Sequence, residues 1–146
     1  MRLQLILIIL FTGVSIGQEA DSVLKQTFPV SKKINHRPPM PFFEGRPYYL
    51  ELFSDLPENR LESITLFFKT DQSMDYREIP LDYYRGRYRF KYDPVIYPGK
   101  ELTYFFVAIV KGSGSYASPV DENGKLVPMV IEPMDPIKYY ERITPK

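Results

Sequence analysis

The segment that most constrains the fold runs from Pro98 to Ala108, with the sequence Pro-Gly-Lys-Glu-Leu-Thr-Tyr-Phe-Phe-Val-Ala. Proline beside glycine marks a turn, and the aromatic and β-branched run behind it has the composition of a strand. Side chains alternate between the two faces of a strand. In that phase Tyr104, Phe106, Ala108 and Val110 point inward, while Phe105, Val107 and Ile109 share the outward phase of Glu101 and Lys111. Both faces are apolar, so each needs a cover.

The period of two continues along the chain from Gly45. Tyr48, Leu50 and Leu52 share a face opposite Glu51, and Ile64, Leu66 and Phe68 alternate with Thr65, Phe67 and Lys69. A shorter strand is expected from Tyr76 to Leu81. Arg87 to Tyr92 shows the cleanest alternation, with Tyr88, Phe90 and Tyr92 against Arg87, Arg89 and Lys91. Ser115 to Val120 and Leu126 to Ile131 follow, joined by Asn123-Gly124, a dipeptide typical of tight hairpins. About seven strands with turn signals every 8–12 residues read as a sandwich or barrel. No helix of useful length is expected.

The ends read differently. Met1-Arg2 precedes an apolar run from Leu3 to Ile16, and Ser15-Ile16-Gly17 offers small residues to a signal peptidase. The run is shorter than the roughly 18 residues a membrane span needs. Cleavage after Gly17 is therefore expected, giving a periplasmic or extracellular protein with no transmembrane span in the mature chain. Residues 18–35 read as a polar, flexible lead-in, 36–132 as one domain, and 133–146, with Ile137, Tyr139 and Tyr140, as a tail on the surface. Cysteine is absent, so the fold relies on its core rather than on the disulfides common in exported domains. With no Asn-x-Ser/Thr acceptor either, the chain reads as a bacterial export.

His-x-Pro-Pro at His36, Gly-x-Pro at Gly45, Leu66 to Lys69, and Pro98 to Ala108 followed by Gly114-Ser-Tyr-Ala-Ser-Pro119 resemble an immunoglobulin-like module. Pro98 to Ala108 and Gly114 to Pro119 look like the F and G strands of fibronectin type III domains. The likeness covers about His36 to Pro119, and it implies an all-β, two-sheet sandwich. By the same likeness Tyr104 closes a corner by bonding back to nearby backbone, and such modules act as spacers and binders. The family's buried tryptophan is missing, so Leu52 or Phe53 fills that volume.

Charge and motifs narrow the function. The formal net charge of +1 lacks the basic footprint of a nucleic-acid binder. There is one histidine, His36, and no Gly-x-Ser-x-Gly elbow, so the chain reads as a non-enzyme with no cofactor and no metal site. Asp121-Glu122-Asn123-Gly124 reads as a turn, since a calcium loop needs six or more oxygens. The remaining candidates are partner-binding residues. Phe67, Phe105, Val107 and Ile109 form an outward apolar row, to be covered by the tail or by a partner. Arg87 and Arg89, with Lys91, form a basic stripe that protects an edge or meets an anionic partner. Tyr83-Tyr84, before Gly86, is the best candidate for a sugar platform. The expectation is an exported module for protein–protein interaction or envelope assembly. The alternative is a carbohydrate-binding module.

Overall fold

The computed structural model describes residues 16–145. The segment expected to be a signal sequence therefore lies outside the described residues, apart from Ile16 and Gly17, which open the first helix. The chain is all-β at its centre, with strands β1 (Ile34–His36), β2 (Tyr48–Ser54), β3 (Leu61–Thr70), β4 (Arg77–Pro80) and β5 (Tyr83–Tyr84). Strands β6 (Arg87–Tyr92), β7 (Leu102–Val110), β8 (Gly114–Ser118) and β9 (Met129–Ile131) follow. Two helices flank them, α1 (Ile16–Leu24) and α2 (Pro136–Ile143).

All strand pairs are antiparallel and form two sheets. The smaller has the order β1-β2-β6-β5; the larger has the order β4-β3-β7-β8, with β9 paired to the start of β7. The inner faces meet in a core that joins Leu50, Leu52, Tyr88 and Tyr92 to Ile64, Leu66, Phe68, Tyr104 and Phe106. These are the inward positions given by alternation. Leu52 is buried in the core, whereas Phe53, one step out of phase, is exposed.

Two connections fit tightly. Asp71 Oδ1 accepts the Lys100 amide at 2.7 Å, and a Cβ on Gly99 would sit 2.6 Å from that oxygen. Glycine is therefore required before β7. At the β5–β6 hairpin Arg85 and Gly86 both have positive φ, 48° and 85°, which matches the strand twist in a two-residue loop.

The second core corrects two expectations. Phe67 stacks on Phe105 with centroids 4.8 Å apart and planes 10° apart, on the outer face of the larger sheet. Phe67, Phe105 and Val107 are buried there with Ala20, Phe28, Tyr76, Ala117 and Leu126. The cover is thus the N-terminal arm, not the C-terminal tail. Nor are residues 18–35 a free lead-in. Ala20, Val23 and Leu24 follow the i, i+3, i+4 spacing of one helix face, and three apolar residues suffice because the sheet they meet is itself apolar. Phe28 is locked by its amide, which donates to the Gly124 carbonyl at 2.8 Å.

The tail goes elsewhere. Asp135 caps α2 by accepting the Ile137 amide at 2.8 Å, with Pro136 in the first turn. Tyr139 and Tyr140 then pack on Phe43, with centroids 5.3 Å and 5.8 Å away. Residues 42–44 clasp Met134 through two backbone bonds of 2.7 Å and 3.0 Å. The Asn123-Gly124 turn also differs from a regular hairpin. It is flanked by a single bridge, Val120 to Leu126, and β9 pairs with β7 instead of β8. Pro119 and Pro128 lack the amide protons a ladder would need.

Candidate functional site

The two sheets are treated unequally. The larger sheet has its outer face covered by the N-terminal arm, but the outer face of β1-β2-β6-β5 carries no such layer among the described residues. Register places Tyr49 opposite Lys91, Glu51 opposite Arg89, and Phe53 opposite Arg87 and Asn35, all on that outer face. Tyr84 joins them through its pairing with Arg87. Tyr49, Phe53 and Tyr84 are all exposed large side chains.

This face is organised around Arg89. Its guanidinium carbon lies 3.6 Å from the Tyr84 ring centroid and 4.5 Å from that of Tyr49. Those rings stand on β5 and β2, the two neighbours of β6, so they approach Arg89 from opposite sides. Arg85, in the hairpin turn, lies 5.3 Å from the same Tyr84 ring. Arg87 is used differently: its Nη1 donates to both Glu51 oxygens, at 3.0 Å and 3.1 Å. A cation over an aromatic face is attracted by the ring quadrupole, and here that attraction holds Arg89 in place.

The structure sorts the sequence-derived candidates as follows. Phe67, Phe105 and Val107 are buried in the second core and are not available to a partner. Ile109 remains exposed at the end of the same row. Arg87, Arg89 and Tyr84 come together on the open face. Tyr83 does not join them. It pairs with Tyr88 on the opposite face of the sheet, ring centroids 5.5 Å apart, so Tyr83 and Tyr84 form no common platform for a sugar. Tyr49 and Phe53 complete the face although the sequence reading named neither as a binding residue and offered Phe53 as a core filler. The signal was present, since both are odd-numbered neighbours of Glu51 in β2 and share its outward phase.

The lone histidine is structural. His36 Nδ1 lies 2.7 Å from the Glu51 carbonyl, and its Nε2 lies 2.6 Å from the Tyr104 hydroxyl. Burial holds the imidazole below its ordinary pKa, with the Glu51 carbonyl bond and the Glu51 charge partly opposing that shift. Burial also pushes the Tyr104 phenol upward. Tyr104 therefore reaches across the sandwich to a side chain, not back to nearby backbone as the resemblance implied. Tyr92 makes the local bond instead, donating to the Tyr97 carbonyl at 2.7 Å. Asp121 Oδ1 accepts the amides of Asn123 and Lys125, each at 2.9 Å, and so organises its own turn.

A cleft of about 520 Å³ opens between residues 42–45 and the 92–102 connection, with Phe43 and Val95 on its walls and Glu44, Lys100, Glu101 and Glu132 around them. Among the described residues, no helix is long and apolar enough to cross a membrane. No protein-family model matches the sequence, and no curated protein does.

Proposed function

We propose that this chain is an exported, non-catalytic immunoglobulin-like module that binds a protein partner through the open face of its smaller sheet. The observation that carries the reading is the asymmetry of the sandwich. One outer face is sealed by the chain's own arm, while the other presents Tyr49, Phe53 and Tyr84 to solvent around a half-buried Arg89. Tyrosine and arginine are enriched in protein interfaces and dominate their binding energy. Strand order supports the immunoglobulin-like part of the reading. Taken in chain order as A, B, C, C′, D, E, F and G, strands β1 to β8 give A-B-E-D in one sheet and C′-C-F-G in the other, the arrangement of that architecture. The apolar leader beginning at Leu3 supports export to the periplasm or beyond.

The sugar-binding reading draws less support, because Tyr83 and Tyr84 face opposite ways and Arg89 already occupies the Tyr84 ring. Site-specific photo-crosslinking in the producing cell tests the proposal. A photoreactive residue at position 53 should yield a discrete protein adduct, and one at position 69 on the other sheet should not. Equal labelling at both positions, or none at 53, sinks it.

A further inference from the structure

We infer that Arg89 is a preorganised fork for a carboxylate, and that the partner segment on this face presents an aspartate or glutamate flanked by apolar residues. The inference rests on the protein-binding reading of the same face. Arg89 stands in register with Glu51, the acid that would ordinarily neutralise it across the strand pair. Glu51 is instead held by Arg87, and that is the ion pair formed among the described residues. Among the described residues Arg89 is left as a cation without a carboxylate.

The two tyrosine rings hold the guanidinium carbon between them, 4.5 Å and 3.6 Å from their centroids, and the hydrogen-bonding edge of the planar group makes no ion pair among the described residues. That edge is the fork that matches the two oxygens of a carboxylate. A side chain already ordered by stacking loses less freedom on binding than a free arginine would. Charge agrees with this assignment. Arg85, Arg87, Arg89 and Lys91 gather on or beside the face, and the carboxylate in register with Arg89, that of Glu51, is held by Arg87. Arg85 shares the Tyr84 ring with Arg89, so a second cation stands beside the fork. Tyr49 and Phe53 supply the exposed apolar surface that flanking residues of the partner would cover.

The test uses the mature chain, two capped tetrapeptides and inorganic phosphate. One peptide alternates leucine with glutamate, the other leucine with glutamine, and binding is followed by NMR at the Arg89 Nε–H and the amides of residues 49, 84 and 91. The glutamate peptide should shift these signals and bind about tenfold tighter than the glutamine peptide, with the difference shrinking as salt rises. Arg89→Lys keeps the charge but loses the fork, and should weaken the glutamate peptide about tenfold. Equal binding of the two peptides, full binding by Arg89→Lys, or no shift with either peptide overturns the inference. Phosphate binding tighter than the glutamate peptide would also overturn it, in favour of a phosphoryl or sulfated ligand. The crosslink at position 53 does not depend on a carboxylate. Its persistence in Arg89→Lys would leave the binding module standing while the fork falls.

Discussion

His36 and Tyr104 are joined by a 2.6 Å hydrogen bond that ties the smaller sheet to the larger one through the core. The Glu51 carbonyl can only accept, so the neutral imidazole must donate from Nδ1. Its Nε2 is then the acceptor, and the Tyr104 hydroxyl donates to it. Protonating His36 would turn that acceptor into a donor; the phenolic oxygen could accept from it, but the fully buried Tyr104 O–H would lose its acceptor.

Stability should therefore fall in mild acid. Burial holds His36 below its ordinary value of 6.5 in the folded chain, so the unfolded chain binds more protons at this residue. The contribution is complete above that value and is lost as pH falls from it towards the folded pKa. Urea unfolding midpoints should drop as pH falls below about 6.5. His36→Gln should flatten that slope, because the chain has one histidine. An unchanged slope in the variant would refute the assignment.

Tyr104→Phe keeps the ring and removes the donor. Leaving the His36 nitrogen unsatisfied should cost about 1–3 kcal/mol. A double-mutant cycle with His36→Gln should show the two losses to be strongly non-additive. Additive losses would mean that the bond contributes nothing as a pair.

Removing the N-terminal arm should expose the Phe67–Phe105 face. Phe28→Ala should destabilise by about 3 kcal/mol and promote self-association, visible by light scattering. Truncation before Pro136 removes the α2 contacts to Phe43 without uncovering the Phe67–Phe105 face, and should leave the chain monomeric. The reverse pattern would return the cover to the tail.

Gly124→Ala should detach the same arm without touching an apolar side chain. Gly124 has a φ of 76°, and an added Cβ would meet the Phe28 carbonyl oxygen at 2.1 Å. Strain and clash together should cost about 2 kcal/mol or more. The Phe28 amide should lose its hydrogen-exchange protection first, ahead of the amides of β7.

Glu78→Gln should stabilise the docking of α1 at neutral pH. Burial and the neighbouring Glu19 charge raise the Glu78 carboxyl above its ordinary value. Its contribution is present in acid and is lost as pH rises through the raised pKa. The gain at pH 7 should be about 0.5 kcal/mol, since the pair is partly solvated, and it should vanish near pH 4. A gain of the same size at both pH values would exclude the carboxylate repulsion as its cause.

Alternation within β2, β3, β6 and β7 was legible in the chain alone, because inward and outward phase is a local property of an extended backbone. It placed Leu50, Phe68, Tyr88 and Phe106 in the core, and it put Arg87 and Arg89 on the opposite face. Applied equally to β2, it would also have placed Tyr49 and Phe53 on the open face. The turn before β7 was equally plain, because Pro98-Gly99 is a local signal.

What covers each outer face was decided only by tertiary structure. Both chain ends carry a few apolar residues, and the period of a strand does not say which end returns to which sheet. Ala20, Val23, Leu24 and Phe28 meet the Phe67–Phe105 row, while Tyr139 and Tyr140 find Phe43. The partner of Tyr104 is non-local in the same way, since His36 lies 68 residues earlier and reaches it only once the two sheets have packed. Local phase tells a side chain which way to point, and long-range packing determines what it meets there.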